Sequence, residues 1–70
     1  MEQKLLNLKD LNQMIMGMSI DTARELLEPD GYELLVVRDG KKYRNPGSGF
    51  NKARVNVEID DGIIKKIYIG

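Results

Sequence analysis

The chain has no cysteine and no histidine. Lack of cysteine removes disulfides and thiol chemistry and suits a reducing cytoplasm. Lack of both removes the usual zinc ligands, the Ser-His and Cys-His nucleophile pairs and the commonest general base near neutrality. The expectation is a protein that is not an enzyme and carries no cofactor and no metal. Long apolar runs are missing as well. Residues 1–10 alternate apolar and charged side chains too closely for a signal peptide, and no run is long enough to span a bilayer. A soluble, cytoplasmic protein is expected, with no membrane partner. At 70 residues the chain makes one domain that buries only ~60% of the surface its unfolded form exposes, which leaves little room for a deep active site.

Charge is balanced overall at 11 basic and 11 acidic residues, but it is not evenly spread. Residues 38–54 carry six cations against one anion, whereas residues 1–37 carry three against seven and residues 55–70 two against three. A basic segment on a mildly acidic body points to an anionic partner. The same segment, with Gly40, Pro46, Gly47 and Gly49 and two asparagines, reads as loop throughout, too rich in Gly, Pro and Asn to pair as sheet.

Either side of it the pattern is regular. Asp10 and Gln13 form a capping-box spacing for a short helix over residues 11–16, stopped by Gly17. Ser19 caps a second, main helix, in which Ile20, Ala23, Leu26 and Leu27 make one buried face and Pro29 ends it by forcing its predecessor out of the α region. After the Asp30-Gly31 turn, residues 32–38 form a near-continuous apolar strand, expected to be central and covered on both faces. Residues 53–59 alternate, with Val55, Val57 and Ile59 inward, and Asp60-Asp61-Gly62 turns the chain into a last antiparallel strand over residues 63–69. The expected fold class is α+β: one main helix packed on a small mixed β-sheet, with a long exposed loop between the first two strands. Residues 1–10 read as an N-terminal extension and 11–70 as the domain. Leu5, Leu6, Leu8 and Leu11 exceed what so small a core covers, and a homo-oligomeric contact would hide the surplus.

Gly17-Met18-Ser19-Ile20-Asp21-Thr22-Ala23 resembles the G-x-S-x-x-x-A entry to the helix of potato inhibitor I proteins, the chymotrypsin inhibitor 2 family. Arg54-Val55-Asn56-Val57, Asp61-Gly62 and Ile67-Tyr68-Ile69-Gly70 resemble the R-L-N-V, D-G and V-Y-C-G close of the I78 peptidase inhibitors, small bacterial and phage proteins. The resemblance covers residues 11–70. It implies a helix on a small sheet, a rigid binding loop between the first two strands, and bracing of that loop from beneath by Arg54, with Asn56 where a second bracing arginine stands in plant members. The loop differs from the family pattern. It offers Gly47-Ser48-Gly49 as bait, has no carboxylate between Gly40 and Arg54, and is about three residues longer.

The preferred reading is a non-enzymatic binding or inhibitor protein acting through loop 39–54. Free amides of Gly47, Ser48 and Gly49 would cradle an oxyanion, Lys41, Lys42, Arg44 and Lys52 would supply charge, and Tyr43 or Phe50 would stack on a ring. That chemistry suits a phosphorylated small molecule such as a nucleotide signal, sequestered by an oligomer. A solvated connection between strands uses the same residue types. The alternatives are a serine protease inhibitor working by loop insertion, or a phage adaptor binding a host protein. Nucleic acid is not expected as a partner, since one small basic loop neutralises few phosphates. Asp60 and Asp61 read as turn residues, and Met14, Met16 and Met18 as core filling.

Overall fold

The structure, a computed structural model, describes residues 6–45, 47 and 49–70. Ser48 and the first half of the expected N-terminal extension, including Leu5, lie outside the described residues. The fold is a small α+β domain with two helices on a four-stranded mixed sheet. Helix α1 spans Leu8–Ile15, helix α2 Ile20–Leu27, and a 3-10 turn Glu28–Asp30. Strands β1 (Glu33–Asp39), β2 (Lys42–Tyr43), β3 (Arg54–Asp60) and β4 (Ile63–Ile69) lie in the order β2-β1-β3-β4. The central pair β1 and β3 is parallel, and both outer pairs are antiparallel.

The two helices are equal in length, so the expectation of one main helix is corrected. The first starts a turn earlier than expected. Asn7, not Asp10, is its N-cap, and Asp10 completes the capping box as the third helical residue: its amide donates to Asn7 Oδ1 at 2.9 Å, and its carboxylate accepts from the Asn7 amide at 3.4 Å. Helix α1 thus runs through residue 10. Leu6 packs against the core and donates its amide to the Tyr32 hydroxyl at 2.6 Å, while Leu11 and Ile15, one turn apart, are fully buried.

Ser19 caps α2 as its position predicts, its Oγ accepting from the Thr22 amide at 3.2 Å. Ala23 and Leu27 are fully buried and Ile20 packs partly against the core, but Leu26 is 46% exposed. The expected four-residue face is therefore narrower by one. Pro29 does not act by displacing its neighbour, because Glu28 stays helical at φ −60 and ψ −41. Proline instead sits in the first turn of the 3-10 segment, where its missing amide hydrogen has no partner to lose, and Gly31 ends that segment at φ +91.

Two irregularities shape the sheet. Regular alternation would put Ile64 and Ile67 on opposite faces, yet both are buried, because the β3–β4 register slips between Glu58 and Ile59 and absorbs one extra residue of β4. A second slip, between Val36 and Arg38 in the β1–β3 pairing, lets consecutive residues Val37 and Arg38 line one cavity. The helices cover only one face. Leu34 is buried there, while Leu35 and Val37 are half-buried, so the expected cover on both faces of β1 is absent among the described residues.

The basic segment also departs from expectation. Gly40 at φ +61 and Lys41 make a tight turn, and Lys42 and Tyr43 pair with Asp39 and Arg38 as an edge strand. Two residues of ladder suffice, since neither glycine nor proline falls within them. The segment between α1 and α2 closes the other side of the sheet: Gly17 donates to the Ile64 carbonyl at 3.0 Å, Ile64 to that of Met18 at 2.9 Å, and Ile20 to that of Gly62 at 2.8 Å. Asp61 and Gly62, at φ +52 and +77, make the predicted turn.

Candidate functional site

Strand alternation turns Val55, Val57 and Ile59 into the core and leaves Asn56 and Glu58 on the face without helices. There they meet Val37 and Arg38 of β1, Tyr43 and Arg44 of the edge hairpin, and Tyr68 of β4 around a concavity of about 390 Å³. The hairpin forms one wall because the Arg44 amide donates to the Val37 carbonyl at 2.8 Å.

An ion-pair network borders this concavity. Arg38 Nε donates to Glu58 Oε1 at 2.6 Å, its Nη1 and Nη2 donate to the Asp60 carboxylate at 2.9 and 3.1 Å, and Nη1 also reaches the Gly40 carbonyl at 2.6 Å. The Tyr68 hydroxyl donates to Glu58 Oε2, and the Lys66 ammonium lies 5.2 Å from the Tyr68 ring centroid. Bonds from Tyr68 and Arg38 hold the Glu58 carboxyl below its ordinary range, and the Arg38 guanidinium does the same for Asp60. Paired with two carboxylates, Arg38 titrates above its ordinary value and stays charged.

Spatial pairing thus redistributes the charge seen in sequence. Of the six cations in residues 38–54, Arg38 is neutralised by Glu58 and Asp60, and Arg54 lies 3.8 Å from Glu33. Lys41, Lys42, Arg44 and Lys52 are exposed and have no ion-pair partner among the described residues.

The expected site residues fall into three groups. Tyr43, Arg44 and Asn56 line the concavity, and Lys41 and Lys42 sit on the same hairpin. Gly47 and Gly49 belong with Arg54: its Nη1 donates to the Gly49 carbonyl at 3.1 Å, and a Cβ at Gly47 would fall 2.7 Å from Arg54 Cζ. Phe50, 76% exposed and beside Gly70, and Lys52 are not among the lining residues. Among the described residues Asn56 makes no hydrogen bond to the loop; its Nδ2 donates to the Gly70 carbonyl at 2.9 Å. Register explains this, since Asn56 pairs with Tyr68 and faces the end of β4 rather than the loop.

Sequence reasoning missed Val37, Arg38, Glu58 and Tyr68. The alternation of β3 and β4 already carried the signal for Glu58 and Tyr68, which belong to the non-core face. Among the described residues no group of three or more acidic side chains could hold a metal ion, and no helix is long and apolar enough to cross a membrane. Comparison of the chain with protein-family models, with curated proteins and with solved structures returns no match.

Proposed function

We propose that this protein is a non-enzymatic binding protein that sequesters a phosphate-bearing small molecule, with a ring of the nucleotide type, in the concavity on the open sheet face. The observation that carries this reading is the adjacency of uncompensated cations to an aromatic-walled cavity. Tyr43 is 79% and Tyr68 38% exposed, so each has ring surface for stacking, while Arg44 in the wall and Lys41 and Lys42 on the same hairpin supply positive charge for phosphate. Arg38 is already matched by carboxylates and serves to hold the wall in place. Exposed Leu8, Met14, Met16 and Leu26 on the helical side support a homo-oligomer as the sequestering form. Calorimetry with nucleoside mono- and diphosphates tests the reading. Binding is expected to weaken roughly tenfold or more in each of Lys41→Ala and Arg44→Ala, as loss of a charge-assisted bond implies. No heat with the unaltered protein, or affinities indifferent to both substitutions, would sink it.

A second reading, protease inhibition on a potato inhibitor I-like scaffold, is favoured by one observation. Arg54 projects from β3 beneath the loop and holds the Gly49 carbonyl against its own guanidinium, as the resemblance implies. Stoichiometric inhibition of subtilisin- or chymotrypsin-like enzymes without rapid loop cleavage would select it.

A further inference from the structure

Asn56 is the one buried polar residue among the described residues, 7% exposed, and it lines the concavity. Its amide orientation is set by chemistry, since the Gly70 carbonyl only accepts and must face Nδ2. Oδ1 is therefore the other atom, and it is buried with no hydrogen-bond partner. Buried acceptors are nearly always paired, and an orphan one calls for an explanation. Among the described residues nothing supplies it: the cross-strand neighbours of Asn56 are Leu35 and Tyr68, and the Tyr68 hydroxyl is engaged by Glu58.

We infer that Asn56 is the specificity residue of this cavity, its Oδ1 accepting an N–H of the ligand's ring, so that a nucleobase is read and not the phosphate alone. The inference rests on the phosphate-binding reading above. Oδ1 is closed to solvent, so a ring reaches it only if a side chain of the cavity wall gives way, and Tyr68, the cross-strand neighbour of Asn56 and 38% exposed, is the one that would have to move. Stacking on Tyr43 or Tyr68 holds the ring, Asn56 selects its edge, and the hairpin cations take the phosphate. A sugar phosphate lacking the ring satisfies only the last of these.

The test compares ligands rather than folds, because Asn56→Leu also cuts the bond to Gly70. The four nucleoside 5′-monophosphates, ribose 5-phosphate, and the N-methylated form of whichever nucleotide binds best are titrated by calorimetry. The Asn56 side-chain amide is followed in parallel by nitrogen-proton NMR. The expected result is that at least one nucleotide binds about tenfold more tightly than ribose 5-phosphate, that methylation removes this factor, and that the Asn56 amide signal moves. Equal binding of ribose 5-phosphate and every nucleotide, or an unmoved Asn56 signal, overturns base reading while leaving phosphate binding intact. Failure of every phosphate, ribose 5-phosphate included, overturns the parent reading. In that event, phosphate-free nucleosides that shift the Asn56 signal would still support base reading, and nucleosides that do not would overturn it too.

Discussion

Leu27→Ala is expected to lower the free energy of unfolding by about 2–5 kcal/mol, the usual range for a large-to-small change in a packed interior. A chain of this length has roughly 3.5–10 kcal/mol in total, at about 0.05–0.15 kcal/mol per residue, so the substitution removes a large fraction of it and the variant should unfold at a markedly lower urea concentration. Leu27 is fully buried, on the helix that packs against β1. Its neighbour is the control. Leu26 lies about 100° away around the helix and is 46% exposed, so Leu26→Ala should change stability by no more than about 0.5 kcal/mol. Urea unfolding followed by circular dichroism measures both. Equal losses would mean that α2 presents a different face to the sheet from the one described.

The second large effect concerns acid. Glu58 and Asp60 have lower pKa values in the folded protein than their ordinary values of 4.5 and 3.8, because Tyr68 and Arg38 stabilise the charged form of the first and Arg38 that of the second. Their contribution is therefore complete above those ordinary values and is lost as pH falls through the lower, folded ones. The melting temperature should hold steady from neutrality to about pH 5 and fall below about pH 4. Arg38→Met should lower the melting temperature at pH 7 by roughly 5 °C, since Glu58 and Asp60 then lose the cation between them, and should flatten the acid limb. Scanning calorimetry across pH checks this, and an acid limb as steep in the variant as in the parent would refute the role given to Arg38.

Local signals carried much of this architecture. The Ser19 cap, the Asp61-Gly62 turn and the inward set Val55, Val57 and Ile59 each depend on residues within a few positions of one another, and each is where its sequence pattern puts it. The helix start was harder, because Asn7 and Asp10 are both good caps three residues apart and only their reciprocal bonding decides between them. The Arg38 network could not be read locally at all. It joins residues 20 and 22 positions apart, and Asp60 beside Asp61-Gly62 is fully accounted for as a turn until the parallel pairing of β1 with β3 brings Arg38 across to it. The same pairing explains why the basic segment looked more uniformly positive in one dimension than it is in three. For the candidate site, the loop composition drew attention to Tyr43 and Arg44, but the second wall comes from β3 and β4, whose pattern had been spent on explaining the core.

The bonding of residues 17–20 to the start of β4 has a consequence for behaviour at high concentration. An outer strand with unpaired amides and carbonyls is a template on which other chains can add and polymerise. Here the first part of that strand is already occupied by its own chain, and where that cover ends, Lys65 and Lys66 stand exposed. Stacking another molecule there in register would set like charges side by side, so growth of fibrils from this edge is disfavoured by the fold itself.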